Sequence, residues 1–148
     1  MFFDTSALVK RYAEEDGTDV VDELIEADDE PIVITSLTVI EMTSAFRRKY
    51  NRDEITARER DGLLVAFFED ATDRYSIVPI EAPTFEVAFD LVLQDDLRTL
   101  DALQLAAALE SAGDIDLRFV CADRKLVTVA ENSGLDAVNP SRETDKPG

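Results

Sequence analysis

The sequence predicts a three-layer α/β/α sandwich around a parallel central sheet of about five strands. Two observations predict it. Short apolar runs at Met1 to Phe3, Pro31 to Ile34, Ser76 to Ile80 and Arg118 to Cys121 alternate with longer segments of helical spacing. No linker, repeat or low-complexity stretch interrupts the 148 residues, a length that suits one domain with a sizeable core.

Each element follows from local chemistry. Met1 to Phe3 reads as a short buried strand. Asp4-Thr5-Ser6 is a turn, with Ser6 the expected cap of a helix from Ala7 to Glu15. Val20, Val21, Leu24 and Ile25 give Thr18 to Ala27 a helical spacing. Pro31 to Ile34 is β-branched and short, hence a strand. Ser36 or Leu37 opens a helix to about Tyr50, and Thr56 to Arg74 is a long helix with Leu63, Leu64, Phe67 and Phe68 on its apolar side. Ser76 to Ile80 is a strand and Thr84 to Leu93 a helix, with Asp95 and Asp96 in a solvated loop. Thr99 to Ser111 is a helix apolar nearly all round. Arg118 to Cys121 is a strand, and Arg124 to Ser133 is a helix stopped by Gly134. Asp136 to Asn139 is expected as an edge strand. Residues 1–140 form the expected domain, and the polar residues 141–148 an expected disordered tail.

Composition narrows the function classes. The chain has no histidine, which removes His-based acid–base catalysis, Ser-His-Asp triads and the usual zinc enzymes. A single cysteine, Cys121, excludes an intrachain disulfide and multi-cysteine metal sites. No run of about 18 apolar residues exists and no secretory signal is visible, so a cytoplasmic protein with no membrane partner is expected. The formal charge is −18, and only 4 of the 15 basic residues are lysine. Acids spread along the whole chain read as adaptation to high salt, although a basic partner would also fit.

Four acids stand in apolar settings. Asp4 ends Met1-Phe2-Phe3, and Asp123 ends Phe119-Val120-Cys121-Ala122. Asp101 lies within Leu100 to Leu105, and Glu41 within Leu37 to Met42. Buried carboxylates are costly without compensation, and a hard divalent cation held by oxygens is the simplest common compensator. In open α/β sheets the functional crevice lies beyond the carboxyl ends of the strands, where Asp4 and Asp123 would meet if their strands are neighbours. Other readings exist for each. Asp4 and Asp123 could cap the following helices, and Asp101 could be a first-turn anion. Glu41 could belong to a solvated stripe with Thr38, Ser44 and Arg48. Arg98 and Arg124 flank the acids and could meet substrate phosphate or pair with carboxylates. Lys10 and Arg11 read as a solvated helix face, and Cys121 as a small buried residue.

Four blocks together resemble a known family. They are Asp4-Thr5-Ser6-Ala7-Leu8-Val9-Lys10; Thr35-Ser36-Leu37 with Glu41; Leu97 to Ala106 around Asp101; and Phe119 to Leu126 around Asp123. In this order they resemble the PIN-domain ribonucleases, most closely the VapC toxins of toxin–antitoxin pairs. The resemblance implies a PIN-like fold and Mg²⁺- or Mn²⁺-dependent cleavage of RNA. Its metal-binding acids fall on Asp4, Glu41, Asp101 and Asp123, with Thr5 or Ser6 as the hydroxyl beside the first. It also implies a cognate antitoxin and a homodimer, for which the helix Thr56 to Arg74 offers apolar surface. Cys121 departs from the family, which often has threonine there, and puts one contact around the acids in doubt.

Three rival functions share parts of this pattern. A housekeeping PIN nuclease of RNA maturation would have the same site. A phosphoacceptor signalling domain also sets acids around Mg²⁺, but needs paired N-terminal acids and a lysine after its last strand. Here Thr5-Ser6 follows the first acid and that lysine is missing. A non-catalytic scaffold has no need of four intact acids.

Overall fold

Phe2 and Phe3 point to opposite faces of one parallel sheet, and this alternation organises the molecule. The computed structural model describes residues 1–141 except 28 and 114. In chain order the elements are β1 (Phe2–Phe3), α1 (Thr5–Tyr12), α2 (Thr18–Ala27), β2 (Ile32–Thr35), α3 (Ser36–Asn51) and α4 (Ala57–Asp73). There follow β3 (Tyr75–Val78), α5 (Ala82–Asp95), α6 (Thr99–Ala112), β4 (Arg118–Val120), α7 (Arg124–Asn132) and β5 (Asp136–Val138). The expected tail lies outside the described residues except for Ser141, which is buried.

The five strands are ordered β3-β2-β1-β4-β5 and every pair is parallel. Phe3, Val120, Ile32 and Ile34 face a core built with Leu8, Val21, Met42, Phe46 and Phe67 from α1 to α4. Phe2 and Phe119 face the other core, built with Leu91, Leu105, Leu126 and Ala130 from α5 to α7. The result is the expected three-layer α/β/α sandwich. The chain builds outward from β1 through β2 to β3, then crosses to the other side of β1 for β4. The gap between β1 and β4 is therefore a topological switch point, where open sheets form their crevice.

Several local expectations are corrected. Asp4, not Ser6, caps α1, because its extended backbone lets the carboxylate accept from the Ser6 amide. The helix α5 starts at Ala82, since Pro83 fits a first turn whose amides need no partner. Lys10 is buried, with Nζ 3.0 Å from Glu15 Oε1, and Lys49 reaches the other oxygen of Glu15 at 2.9 Å. Burial alone would raise the Glu15 carboxyl; the two ammonium groups outweigh it and hold it below its ordinary range. On α4, Phe67 is fully buried, and Leu63 and Leu64 pack on the core, so most of its apolar side covers the sheet. Val65 and Phe68 of α4 remain exposed, but the larger exposed apolar face belongs to α5. Phe85, Phe89, Val92 and Leu93 lie outward, while Thr84, Ala88 and Leu91 on the opposite side are buried.

Candidate metal centre

Asp4 and Asp123 follow the two strands that flank the switch point, and each caps the helix that comes next. The Asp4 amide continues the sheet by donating to Val120 O at 3.0 Å. Its Oδ2 accepts from the Ser6 hydroxyl at 2.6 Å, the Ser6 amide at 3.3 Å and the Cys121 thiol at 3.5 Å. Asp123 Oδ1 accepts from the Leu126 amide at 3.0 Å and caps α7. Asp101 enters from the first turn of α6, and Glu41 from the second turn of α3. One acid thus comes from each helical layer and two from the central strands.

A cleft of about 560 Å³ is lined by Asp4, Thr5, Ser6, Glu41 and Asp101, with Arg48 and Arg98 at its sides. Asp123 is tied to it through Arg98. The Arg98 Nε lies 3.1 Å from Asp101 Oδ2, and Nη2 lies 3.7 Å from Asp123 Oδ2. As placed, no three acid, histidine or cysteine groups among the described residues stand in chelating geometry. A hollow of similar volume at the opposite end of the strands is lined by Glu30, Asp116, Arg118 and Asp136. There Glu30 meets the N-terminal amine and Asp136 meets Arg118.

Electrostatics marks the cleft. Burial pushes the Asp4 carboxyl up to about 6; the Ser6 hydrogen bond opposes this, and the charges of Glu41 and Asp101 add to it. Burial and the charge of Asp4 also push the Cys121 thiol up, so it stays protonated and donates to Asp4. The thiol accepts from the Asp123 amide at 3.3 Å as well. Cys121 therefore supplies contacts between Asp4 and Asp123 that the resemblance had put in doubt. The donors lining the cleft are carboxylate and hydroxyl oxygens, a set that suits Mg²⁺ or Mn²⁺ and not a soft metal.

Glu41 is not on a solvated stripe. Its Oε1 accepts from Gln104 Nε2 at 2.7 Å and from the Thr5 hydroxyl at 3.1 Å. The same Gln104 amide donates to Thr38 Oγ1 at 2.9 Å, and its Oε1 accepts from Thr35 at 3.2 Å. Thr35, Thr38 and Gln104 are all buried. Gln104 was missed as a functional residue in the sequence. The available signal was a single amide inside a helix that is apolar nearly all round. Thr5 and Ser6 divide the expected hydroxyl role, one toward Glu41 and the other toward Asp4. Arg124 is exposed and, among the described residues, pairs with none of the four acids.

Solved structures with this fold include toxin–antitoxin proteins. A toxin–antitoxin complex from Klebsiella pneumoniae is 17% identical, with a TM-score of 0.64 over 94% of this chain and 96% of that one. The Mycobacterium tuberculosis toxin VapC20, described as cleaving the sarcin–ricin loop, is 15% identical, with a TM-score of 0.68 over 94% and 98%. FitAcB from Neisseria gonorrhoeae is 14% identical, with a TM-score of 0.66 over 94% and 96%. At these identities the likeness is one of fold. No curated protein matches the sequence. The PIN domain model matches residues 1–132, from the strand that carries Asp4 to the end of the helix capped by Asp123. An acid-lined switch-point cleft in this sheet order and a match over nearly the whole sequence lead to one assignment: the chain belongs to the PIN-domain family.

Proposed function

We propose that this chain is a Mg²⁺- or Mn²⁺-dependent endoribonuclease and the toxin of a toxin–antitoxin pair. The observation that carries the reading is the meeting of Asp4, Glu41 and Asp101 at one cleft, with Asp123 joined to Asp101 through Arg98. Those four carboxylates are the proposed ligands. A divalent cation held by them supplies charge stabilisation at the scissile phosphate and a lowered pKa for attacking water. The chain itself does the positioning. Gln104 and Thr5 fix Glu41, while Ser6 and Cys121 fix Asp4 between α1 and β4. In-line attack by water leaves a 5′-phosphate and a 3′-hydroxyl, with no histidine needed for either proton transfer.

The proposed partners are an RNA substrate, a cognate antitoxin and a second copy of the chain, in the cytoplasm. No helix among the described residues is long and apolar enough to cross a membrane. An antitoxin arginine suits the cleft, because a guanidinium meets carboxylates with paired hydrogen bonds. The dimer surface is the outward face of α5. At about 200 Å² for a phenylalanine, the exposed parts of Phe85 and Phe89 with Val92, Leu93 and Leu100 give roughly 500 Å² of apolar surface. That suits the apolar centre of an interface of about 800 Å² per partner.

The test compares RNA cleavage by the wild type and Asp101→Asn, each with Mg²⁺ and with chelator, alongside the thermal midpoint. Cleavage confined to the wild type with Mg²⁺, at matched midpoints, is expected. Cleavage that survives both chelator and substitution rejects metal-assisted hydrolysis here. Growth arrest relieved by the product of an adjacent upstream frame is expected of a toxin. Harmless expression of an active nuclease would assign it to RNA maturation instead.

A further inference from the structure

Arg98 occupies a position that helix chemistry disfavours. It is the N-cap of α6, makes no capping hydrogen bond, and sets a cation at the positive end of the helix dipole. Its side chain is 81% exposed, so packing does not hold it there. What holds it is Asp101 at 3.1 Å and Asp123 at 3.7 Å, two acids carried by different elements. Among the described residues the other cation lining the cleft is Arg48 on α3, which donates to Ser44.

We propose that Arg98 is a displaceable internal cation: it spans Asp101 and Asp123 in the metal-free protein, gives them up to a divalent ion, and then contacts the RNA backbone. The inference rests on the reading of the four acids as metal ligands. A guanidinium bridges two carboxylates 22 residues apart in sequence by its planar fork, whereas an ammonium is a single point charge. Exposure makes release inexpensive, because a solvated ion pair is weak. Once released, the guanidinium stands at the rim of the same cleft, with Arg48 opposite. Phosphates on either side of the scissile bond could then be met by the two arginines in a molecule whose surface otherwise repels RNA.

The test uses the full chain and two substitutions, Arg98→Ala and Arg98→Lys. Mn²⁺ affinity is read from the free-ion electron paramagnetic resonance signal. Retention of a single-stranded oligoribonucleotide is read by anisotropy with Ca²⁺ in place of Mg²⁺. Both variants are expected to bind Mn²⁺ three- to tenfold more tightly than the wild type. Both are expected to hold the oligonucleotide several-fold more weakly, with Arg98→Lys the milder in that second assay. Mn²⁺ affinity of Arg98→Lys equal to wild type would overturn the proposal, since charge alone would then explain any effect of alanine. Weaker Mn²⁺ binding by Arg98→Ala would also overturn it and make the arginine a structural support. Absence of Mn²⁺ binding by the wild type would overturn the reading of the acids as well.

Discussion

At Asp4 the cost of the cleft falls on one carboxyl. Its ordinary value is 3.8, and burial with two acidic neighbours raises it to about 6 in the folded protein without metal. The folded state therefore holds this proton more tightly than the unfolded chain. The stabilisation is complete below about pH 3.8 and is lost as pH rises through 6, a swing of about 3 kcal/mol from this group. In chelator, Asp4→Asn should match the wild type near pH 4 and exceed its stability at pH 7.5, because asparagine still caps α1. Thermal midpoints at the two pH values check this; a difference between the proteins that does not change with pH rejects it. Gln104→Leu should act in the opposite direction. It leaves Glu41, Thr35 and Thr38 short of partners, at about 1–3 kcal/mol, and should lower Mn²⁺ affinity about tenfold. Denaturant midpoints and ion titration measure the two effects separately. Asp4 and Asp123 stand out in the sequence because each closes an apolar run, and the structure gives both the capping role that the sequence also allowed. Glu41 was ambiguous because its partner is Gln104, 63 residues away, and contacts of that kind leave no periodicity.

The helices differ in what their apolar residues do. The sequence shows apolar spacing on both α4 and α5, but spacing cannot say which side meets the sheet. On α4 the aromatic Phe67 goes inward. On α5 small Ala88 and Leu91 pack inward against α6, which leaves the two phenylalanines outside. The proposed association surface is therefore the outward face of α5, with Val65 and Phe68 of α4 as the smaller alternative. Phe89→Asp should convert a dimer to a monomer in light scattering without lowering the thermal midpoint of the isolated chain. Phe68→Asp on α4 should leave the dimer intact. A wild type that stays monomeric at high concentration rejects the surface. Helix and strand order was legible throughout because each strand is an apolar run closed by a turn or cap residue. Ends shifted by a few residues, as where Asp4 rather than Ser6 caps α1 and where α5 begins at Ala82 rather than Thr84.

The whole molecule carries a formal charge of −18, so its stability depends on the solvent. Screening shortens from about 10 Å at 0.1 M salt to 3 Å at 1 M. The thermal midpoint should rise steadily between these concentrations, and the partly buried Lys10–Glu15–Lys49 cluster should keep most of its contribution. A midpoint that falls with salt would reject self-repulsion as the dominant surface effect. The charge was legible from composition, and the sheet order only in part, since no sequence pattern states which side of β1 receives β4. That order has a consequence for synthesis. The strand β1 is made before the other four, yet it lies at the centre of the sheet and pairs Phe2 with Phe119 of β4. Asp4 and Cys121, in contact across the cleft, are 117 residues apart. A growing chain lacks Asp123 until β4 and the turn after it have been made. The acids of the cleft therefore cannot come together until β4 has paired with β1, and whatever chemistry the cleft performs waits for that pairing.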